Sequence, residues 1–153
     1  MTELVYADVD GFAVLNEMDE LFPAHYEELC VTKDFDYEPD YDAYKRLAQA
    51  GMLRCITCRA DGELIGYIVF YISPHLHYKS CVTATEDIYF VRKDYRKGRV
   101  GIKLFQYAEK VLKEKCGVQR IIMHTKVHLD NSRLFEYLGY KMTDKVFTKM
   151  LGN

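Results

Sequence analysis

The spacing of apolar residues divides the chain into two unlike parts. Phe12, Leu15, Met18 and Leu21 recur at helical intervals, which predicts a helix over residues 12–21 with Asp10 as its cap. Pro23 suits the start of a second helix over 24–30. Residues 33–39 read as a loop. Asp40 or Asp42 then caps a helix that runs to Ala50 and stops at Gly51. From residue 52 the pattern becomes that of strands. Residues 52–59, 64–72 and 81–91 are β-rich, with Ala60-Asp61-Gly62-Glu63 as a hairpin turn and 74–79 as a loop. Residues 4–9 fit an opening strand. A clear amphipathic helix follows over 100–115, with Leu104, Ala108, Val111 and Leu112 on one face and Gly117 as its stop. Residues 118–123 read as a short buried strand. Residues 131–138 read as a short helix capped by Asp130 or Asn131 and ended by Gly139, and 140–151 as a last strand. The order is β, helices, an antiparallel meander, then β–α–β–α–β. It predicts an α/β (α+β) mixed sheet with helices on its faces, in a single domain over 1–153.

Composition narrows the class. With 153 residues and 49% hydrophobic content, the chain is large enough for one real core. No apolar run approaches the roughly 20 residues of a membrane span, and the acidic N-terminus lacks the pattern of a signal peptide. Five scattered cysteines, an odd number, fit a reducing cytoplasm better than a disulfide framework. The net charge of −2 argues against a generic nucleic-acid binder. It also hides a gradient: residues 1–50 carry −10 and residues 51–153 carry +8. Two solvated faces account for this. So does a bipolar protein with a cationic partner at one end and a polyanion at the other.

Candidate chemistry concentrates in IYFVRKDYRKGRVGIKLFQYAEKVL, a strand, a basic glycine-containing loop and a helix. Such a loop lets backbone N–H groups approach phosphate oxygens, and the helix adds its positive end. Arg99 opposes that helix dipole, a conflict that a bound phosphate would remove. A strand-to-helix turn with solvated bases is the plainer alternative. Neither the Gly-x-x-x-x-Gly-Lys-Ser/Thr nor the Gly-x-Gly-x-x-Gly fingerprint is present.

The stretch resembles the GNAT N-acetyltransferase superfamily, in which a strand ending in Val leads to Tyr-Arg, a loop with two small residues, and a helix. Val91, Tyr95, Arg96 and Gly101 occupy those places; Arg99 replaces the first glycine, and Gly98 sits one residue early. Downstream, HLDNSRLFEYLGY matches the family's short helix ending in Leu138-Gly139-Tyr140. The pairs His25-Tyr26 and His77-Tyr78 are similar to those of phage and prophage members, which would place the chain in the cytoplasm of a bacterium or infected host. The resemblance implies acetyl-CoA as cofactor. Its pyrophosphate would lie on Arg96, Lys97, Gly98, Arg99, Val100, Gly101 and Ile102, and its pantetheine arm along Phe90 and Val91. An amine, on a small molecule or on a protein Lys or N-terminus, would meet the acidic third, with His25, Glu28, His77 and Tyr78 on the acceptor side. A homodimer is the expected assembly; nucleic acid and membrane are not expected partners.

An alkylamine is protonated at neutral pH, with a pKa near roughly 10.4, so the reaction needs a base. The resemblance implies a carboxylate on the strand before the loop, where Glu86 and Asp87 stand. Neighbours on a strand point to opposite faces, so one of them serves, and a bulge would change which. The family's usual acidic Tyr is replaced by Phe135, leaving His128, Tyr95 or water as proton donors. The implied function is an acetyl-CoA-dependent N-acetyltransferase acting on a primary amine by direct attack. The alternative is a catalytically weak module of the same fold that binds acyl-CoA or a protein. No metal is expected. Cys55-x-x-Cys58 puts its thiols on opposite faces of a strand, one buried and one not, and neither His75 with His77 nor His124 with His128 completes a ligand set. Tyr37, Tyr41 and Tyr44 among acids offer an aromatic, anionic surface for a cation.

Overall fold

A computed structural model of the chain describes residues 1–9, 13–30 and 34–152. The expected cap Asp10, Phe12 and the start of the loop at Lys33 lie outside the described residues. The elements are β1 (Leu4–Val9), α1 (Leu15–Leu29), α2 (Tyr41–Gln49), β2 (Leu53–Ala60), β3 (Glu63–His75), β4 (Tyr78–Val91), a short 3-10 turn (Lys93–Tyr95), α3 (Val100–Cys116), β5 (Arg120–Ile122) and α4 (Ser132–Tyr137). The strands lie in the order β1-β2-β3-β4-β5. The first four are antiparallel neighbours and β5 runs parallel to β4. The sheet is therefore mixed and flanked by helices, as the element order predicted. None of the described helices is long and apolar enough to cross a membrane.

Local chemistry accounts for most boundaries. Asp61 and Gly62 take φ of 49° and 87°, the two left-handed positions that a tight β2–β3 turn requires. Asp40 caps α2 by accepting from the Ala43 amide at 2.8 Å. Helix α3 buries Leu104, Phe105, Ala108, Val111 and Leu112, one stripe of a 3.6-residue period.

The sheet separates two cores. One joins Ile56, Cys58, Ile65, Ile68, Phe70 and Ala84 to the apolar stripe of α3 and to Phe135 of α4. The other joins Cys55, Leu64, Tyr67, Val69 and Phe90 to Met18 and Phe22 of α1. Central strands covered on both faces lose the apolar–polar alternation, so β2 and β3 read as continuous apolar runs. For the same reason Cys55 and Cys58 are both fully buried. They face opposite sides as expected, but neither side is open.

Three expectations need correction. Residues 12–21 and 24–30 were two helices by their proline; α1 is one helix with Pro23 inside it. Pro23 lacks an N–H for the Asp19 carbonyl, and burial of Met18, Phe22 and His25 against the sheet outweighs that loss. The expected loop over 74–79 shrinks to Leu76 and His77, because β3 and β4 continue past Pro74. Strand β2 begins at Leu53, opposite Tyr71, so Pro74 lies where β3 pairs with β4 alone and a missing N–H costs no ladder bond on the far side. The expected last strand over 140–151 is absent: these residues form neither helix nor strand, and those from 141 on are exposed.

Gly66 is the tightest close approach in the sheet. It sits opposite Val91, and a Cβ there would fall 2.9 Å from the Phe90 carbonyl oxygen and 3.1 Å from a Val91 methyl. Gly66→Ala should therefore destabilise the fold by about 1–3 kcal/mol, the usual cost of overpacking. Urea unfolding checks it; an unchanged midpoint would show that the end of β4 moves freely.

Candidate active site

Strand β4 outruns its parallel neighbour. Strand β5 pairs only with Thr83, Ala84 and Thr85. From 86 to 91, β4 keeps β3 on one side and has no strand on the other among the described residues. The gap is held open by side chains. The Tyr89 hydroxyl donates to the His124 carbonyl at 3.0 Å, and the Asn131 amide donates to the Tyr89 hydroxyl at 3.0 Å. Apart from the Val91 carbonyl, which accepts from Arg96, this edge has no strand partner among the described residues and can offer backbone groups to an extended ligand.

Beside the gap, β4 carries one residue more than β3. Val69 pairs with Ile88, but Phe70 pairs with Glu86, which leaves Asp87 as the extra residue of a bulge. The bulge decides which of the two adjacent carboxylates takes which side of the strand. Asp87 accepts from the Tyr44 hydroxyl of α2 at 3.0 Å, on the side of Ile88, Phe90 and the α1 core. Glu86 accepts from the His124 amide at 3.0 Å and lies 3.0 Å from that residue's Nδ1, toward the gap. Burial pushes both carboxyls above their usual range; the Tyr44 hydrogen bond pulls Asp87 back in part, and His124 does the same for Glu86.

At the end of β4 the glycine loop is pinned by some of its cations and leaves others free. Arg92 pairs with Glu63 at 2.6 Å and with Asp94 at 2.8 Å. Arg96 donates through Nε to the Val91 carbonyl at 2.6 Å and through Nη2 to both Glu28 oxygens at 2.8 Å. Its guanidinium also lies 5.3 Å from the centre of the Phe90 ring. Gly98 has φ of 96°, so the left-handed turn falls at this glycine, one residue before the family's usual place. Lys97, Gly98 and Arg99 are exposed. Helix α3 has no side-chain cap and no acid in its first turn, so its leading N–H groups are offered outward beside two cations. A Cβ on Gly101 would meet nothing within 4 Å, which leaves room for phosphate oxygens. Uncapped amides, cations and space fit a pyrophosphate; the open β4 edge fits a pantetheine arm.

The expected site residues do not all converge. His25, Glu28, Phe90, Arg96 and His128 form one cluster. His25 stacks on Phe90 with ring centres 4.9 Å apart, and its Nδ1 lies 2.8 Å from the Tyr67 hydroxyl. Burial drives its pKa down to about 4, so it is neutral at physiological pH. Glu28 was expected to face an amine, but its carboxylate is held by Arg96. His128 was expected to donate a proton in catalysis, but its Nε2 lies 2.7 Å from the Glu28 carbonyl and braces the loop before α4 against the end of α1. His77 and Tyr78 lie elsewhere, at the tip of the β3–β4 hairpin beside His75. Tyr78 is nine strand residues from Asp87, or roughly 30 Å. Phe135 is buried edge-to-face against Tyr89 and Phe105, so it is a core residue.

Sequence reasoning missed Tyr44, Tyr89 and His124 as partners of this site. Tyr44 carried a signal, since it lies one turn from the helix cap Asp40 in the acidic tyrosine run. Tyr89 and His124 carried none, because their meeting depends on where β5 stops. Away from this site, a cavity of about 570 Å³ is lined by Lys45, Arg54 and Lys115 with Asp8 as its one acid, which pairs with Arg54 at 3.2 Å and Lys115 at 3.3 Å. Among the described residues, no group of three metal-ligating side chains is assembled.

The family model of the acetyltransferase (GNAT) family matches residues 13–140. Solved structures share the architecture at low identity. A ribosomal-protein-alanine N-acetyltransferase from Brucella melitensis biovar Abortus is 17% identical, with a TM-score of 0.73 over 98% of this chain and 100% of that one. An aminoglycoside acetyltransferase from an uncultured soil metagenomic sample, solved with sisomicin, is 16% identical, with a TM-score of 0.74 over 97% of each chain. A predicted acetyltransferase of Clostridium acetobutylicum, solved with acetyl-CoA, is 10% identical, with a TM-score of 0.73 over 97% of each chain. Among curated proteins, none matches the chain in sequence.

The open space at Gly101 sets up a clean test of the loop. Gly101→Asp should leave the protein folded and weaken acetyl-CoA binding by about 100-fold, since a carboxylate would enter the anion site. Calorimetry on the folded variant checks this; unchanged affinity would mean that the loop binds no phosphate.

Proposed function

This chain belongs to the GNAT acetyltransferase family, and we propose that it acetylates a cationic primary amine with Asp87 as the base. It is an acetyltransferase, and acetyl-CoA is its acyl donor. That donor supplies an acyl carbon activated by a thioester. The observation that carries the reading is the β4 bulge, which turns Asp87, a carboxylate of raised pKa, toward α1 and α2 and leaves Glu86 to His124 beside the β4–β5 gap.

The chain's own residues divide the work. Amides 97–102, with Lys97 and Arg99, hold the pyrophosphate, and the backbone at Phe90 and Val91 aligns the pantetheine arm. Arg96 positions that loop through Glu28 rather than neutralising phosphate itself. Asp87 takes one proton from the incoming ammonium, the neutral nitrogen forms its bond to the acyl carbon as the C–S bond breaks, and the proton left on the new amide nitrogen passes through water to the departing thiolate. A thiol pKa near roughly 8.5 lets the thiolate leave without a dedicated acid. We choose Asp87 over Glu86 because it faces α1 and α2, the acidic third of the chain. There Tyr37 and Tyr41 both donate to Asp19, and Tyr44 donates to Asp87, which makes a wall of aromatic rings and carboxylates suited to a cation. The bulge that produces this arrangement also reverses the strand parity on which the two carboxylates would otherwise be sorted.

A second reading has one observation in its favour. Phe135 replaces the family's usual proton donor and is packed into the aromatic core, which suits a weakly active module that binds acyl-CoA. Turnover on a panel of polyamines, aminoglycosides, amino acids and Lys peptides separates the two.

The pH dependence follows in sign. Asp87 is a base only when ionised, so kcat/KM should rise as pH climbs through a value above the ordinary carboxylate range. Asp87→Asn should lower kcat/KM by about 100-fold or more near neutral pH, with recovery toward high pH as the amine deprotonates itself. Glu86→Gln should keep most of the activity. Equal, near-wild-type profiles for both variants would rule out a strand carboxylate as base. The same shift bears on stability. A raised carboxyl contributes most when protonated, below its unfolded pKa of about 3.9, and loses that contribution as pH rises through the folded value. Asp87→Asn should therefore melt higher than wild type at pH 7, and the difference should vanish near pH 3; a constant difference in Tm would contradict the assignment.

The charge of the acceptor is tested by salt. An acceptor held by exposed acids should show a KM that rises between low salt and about 0.15 M, where charges are screened within about 8 Å. Asp19→Asn should raise that KM a few-fold and flatten its salt response, with acetyl-CoA affinity unchanged. A salt-independent KM in both proteins would assign the acidic third another role.

A further inference from the structure

The cavity of about 570 Å³ lies where the last turns of α2 and α3 meet β1 and β2. Its α3 wall includes Lys115, which stands roughly 22 Å along the helix from Val100 and the glycine loop. The cavity is therefore separate from the phosphate end of the site described above. Three cations from three elements converge on it: Lys45 of α2, Arg54 of β2 and Lys115 of α3. Asp8 of β1 is the one acid among its described lining residues. The C-terminal ends of α2 and α3 subtract about half a charge each, and three cations against one acid still leave the cavity positive.

Asp8 takes only part of what these cations offer. Arg54 meets it through Nε at 3.2 Å without the geometry of a hydrogen bond, so the guanidinium is paired but not locked. Lys115 meets it through one contact at 3.3 Å. The terminal nitrogens of Arg54 and two ammonium hydrogens of Lys115 are left for an incoming group. Donors that come from three elements suit the three free oxygens of a phosphomonoester better than the two of a carboxylate. The volume is far beyond that of a bare phosphate ion and within the range of small-molecule sites. Leu53 and Ile72 give a carbon skeleton an apolar wall.

We propose that this cavity binds a small organic phosphomonoester, of the size of a sugar phosphate, as an effector of acetyl transfer. Helix α2 connects the two places. It brings Lys45 to the cavity and, one residue earlier, Tyr44 to Asp87. No side chain of α2 is fully buried; partly buried Tyr44, Leu47 and Ala48 hold it to the sheet. An anion that joins α2 to β2 and α3 favours the docked position of this lightly held helix, and with it the hydrogen bond on Asp87. The effect on rate rests on Asp87 as the base; the binding does not.

Ribose 5-phosphate is the probe, titrated into the full chain with saturating acetyl-CoA, so that the glycine loop is filled, and followed by backbone amide NMR. The expected result is saturable shifts at 45–54 and 115–116, with none from ribose and with inorganic phosphate binding at least about tenfold more weakly. Arg54→Gln should weaken the binding by about tenfold or more. Lys115→Gln should weaken it a few-fold; that side chain is 58% exposed, so the fold does not depend on it. In turnover, saturating ribose 5-phosphate should raise kcat/KM for the amine about two- to fivefold in the wild type and not in Arg54→Gln. No saturable shift at 45–54, or binding that both variants leave unchanged, overturns the site. Equal affinity for inorganic phosphate overturns the ester as its ligand. Binding with an unchanged kcat/KM overturns the effector role. Binding is read without turnover, so a failed site and a wrong base are told apart: harmless Asp87→Asn with intact binding faults the base alone.

Discussion

A single extra residue in β4 governs the arrangement of the site. At Asp87 the strand bulges against β3, and every residue between it and the hairpin tip changes face relative to a regular strand. Ile88 and Phe90 belong to the α1 core, while Ala84 and Val82 belong to the α3 core on the other side. Without the bulge, Glu86 would join Ile88 and Phe90, and Asp87 would face α3. With it, the neighbouring carboxylates find Tyr44 on one side and His124 on the other. The two acids lie on opposite faces either way; the bulge decides which face each one takes, and each meets a donor there.

The rest of the site hangs from the far end of the same strand. Its last residues keep β3 but have no β5, because β5 stops after three residues. Where the strand ends, the chain passes into a loop whose cations are sorted by position. Arg92 and Arg96 are spent on Glu63, Asp94, Glu28 and the Val91 carbonyl, which fix the loop to β3 and α1. Lys97 and Arg99 remain exposed next to an uncapped helix. The chain's charge gradient has a structural expression here: Glu28, from the acidic third, pairs with Arg96 of the basic loop. Helix α1 thus links the two halves of the site, through Glu28 to the loop and through His25 to Phe90.

Much of this was legible before any coordinates. The glycine loop, the α3 stripe, the Asp61-Gly62 turn and the Asp40 cap are local features, and local features are written in spacing and in a few special residues. The carboxylate pair was legible as a pair. Its sorting was not, because a bulge depends on two strands and leaves no mark on either alone. Pro23 misled for a related reason: a proline lowers local helix propensity, but burial of Met18, Phe22 and His25 against the sheet decides. The partners of Glu28 and His128, Arg96 and the Glu28 carbonyl, lie 68 and 100 residues away in sequence, and spacing along the chain does not reveal them. The apolar pattern over 140–151 misled in the other direction: it read as a strand, but the residues there form neither helix nor strand.

The central claim is that acetyl-CoA lies along the unpaired part of β4 with its phosphates at the start of α3. Backbone amide NMR during an acetyl-CoA titration tests this most directly. The account predicts that the largest shifts cluster at 97–102 and along 86–91, with Gly98 and Gly101 among the first to move. Shifts concentrated instead around Asp8, Arg54 and Lys115, with 97–102 unchanged, would contradict it.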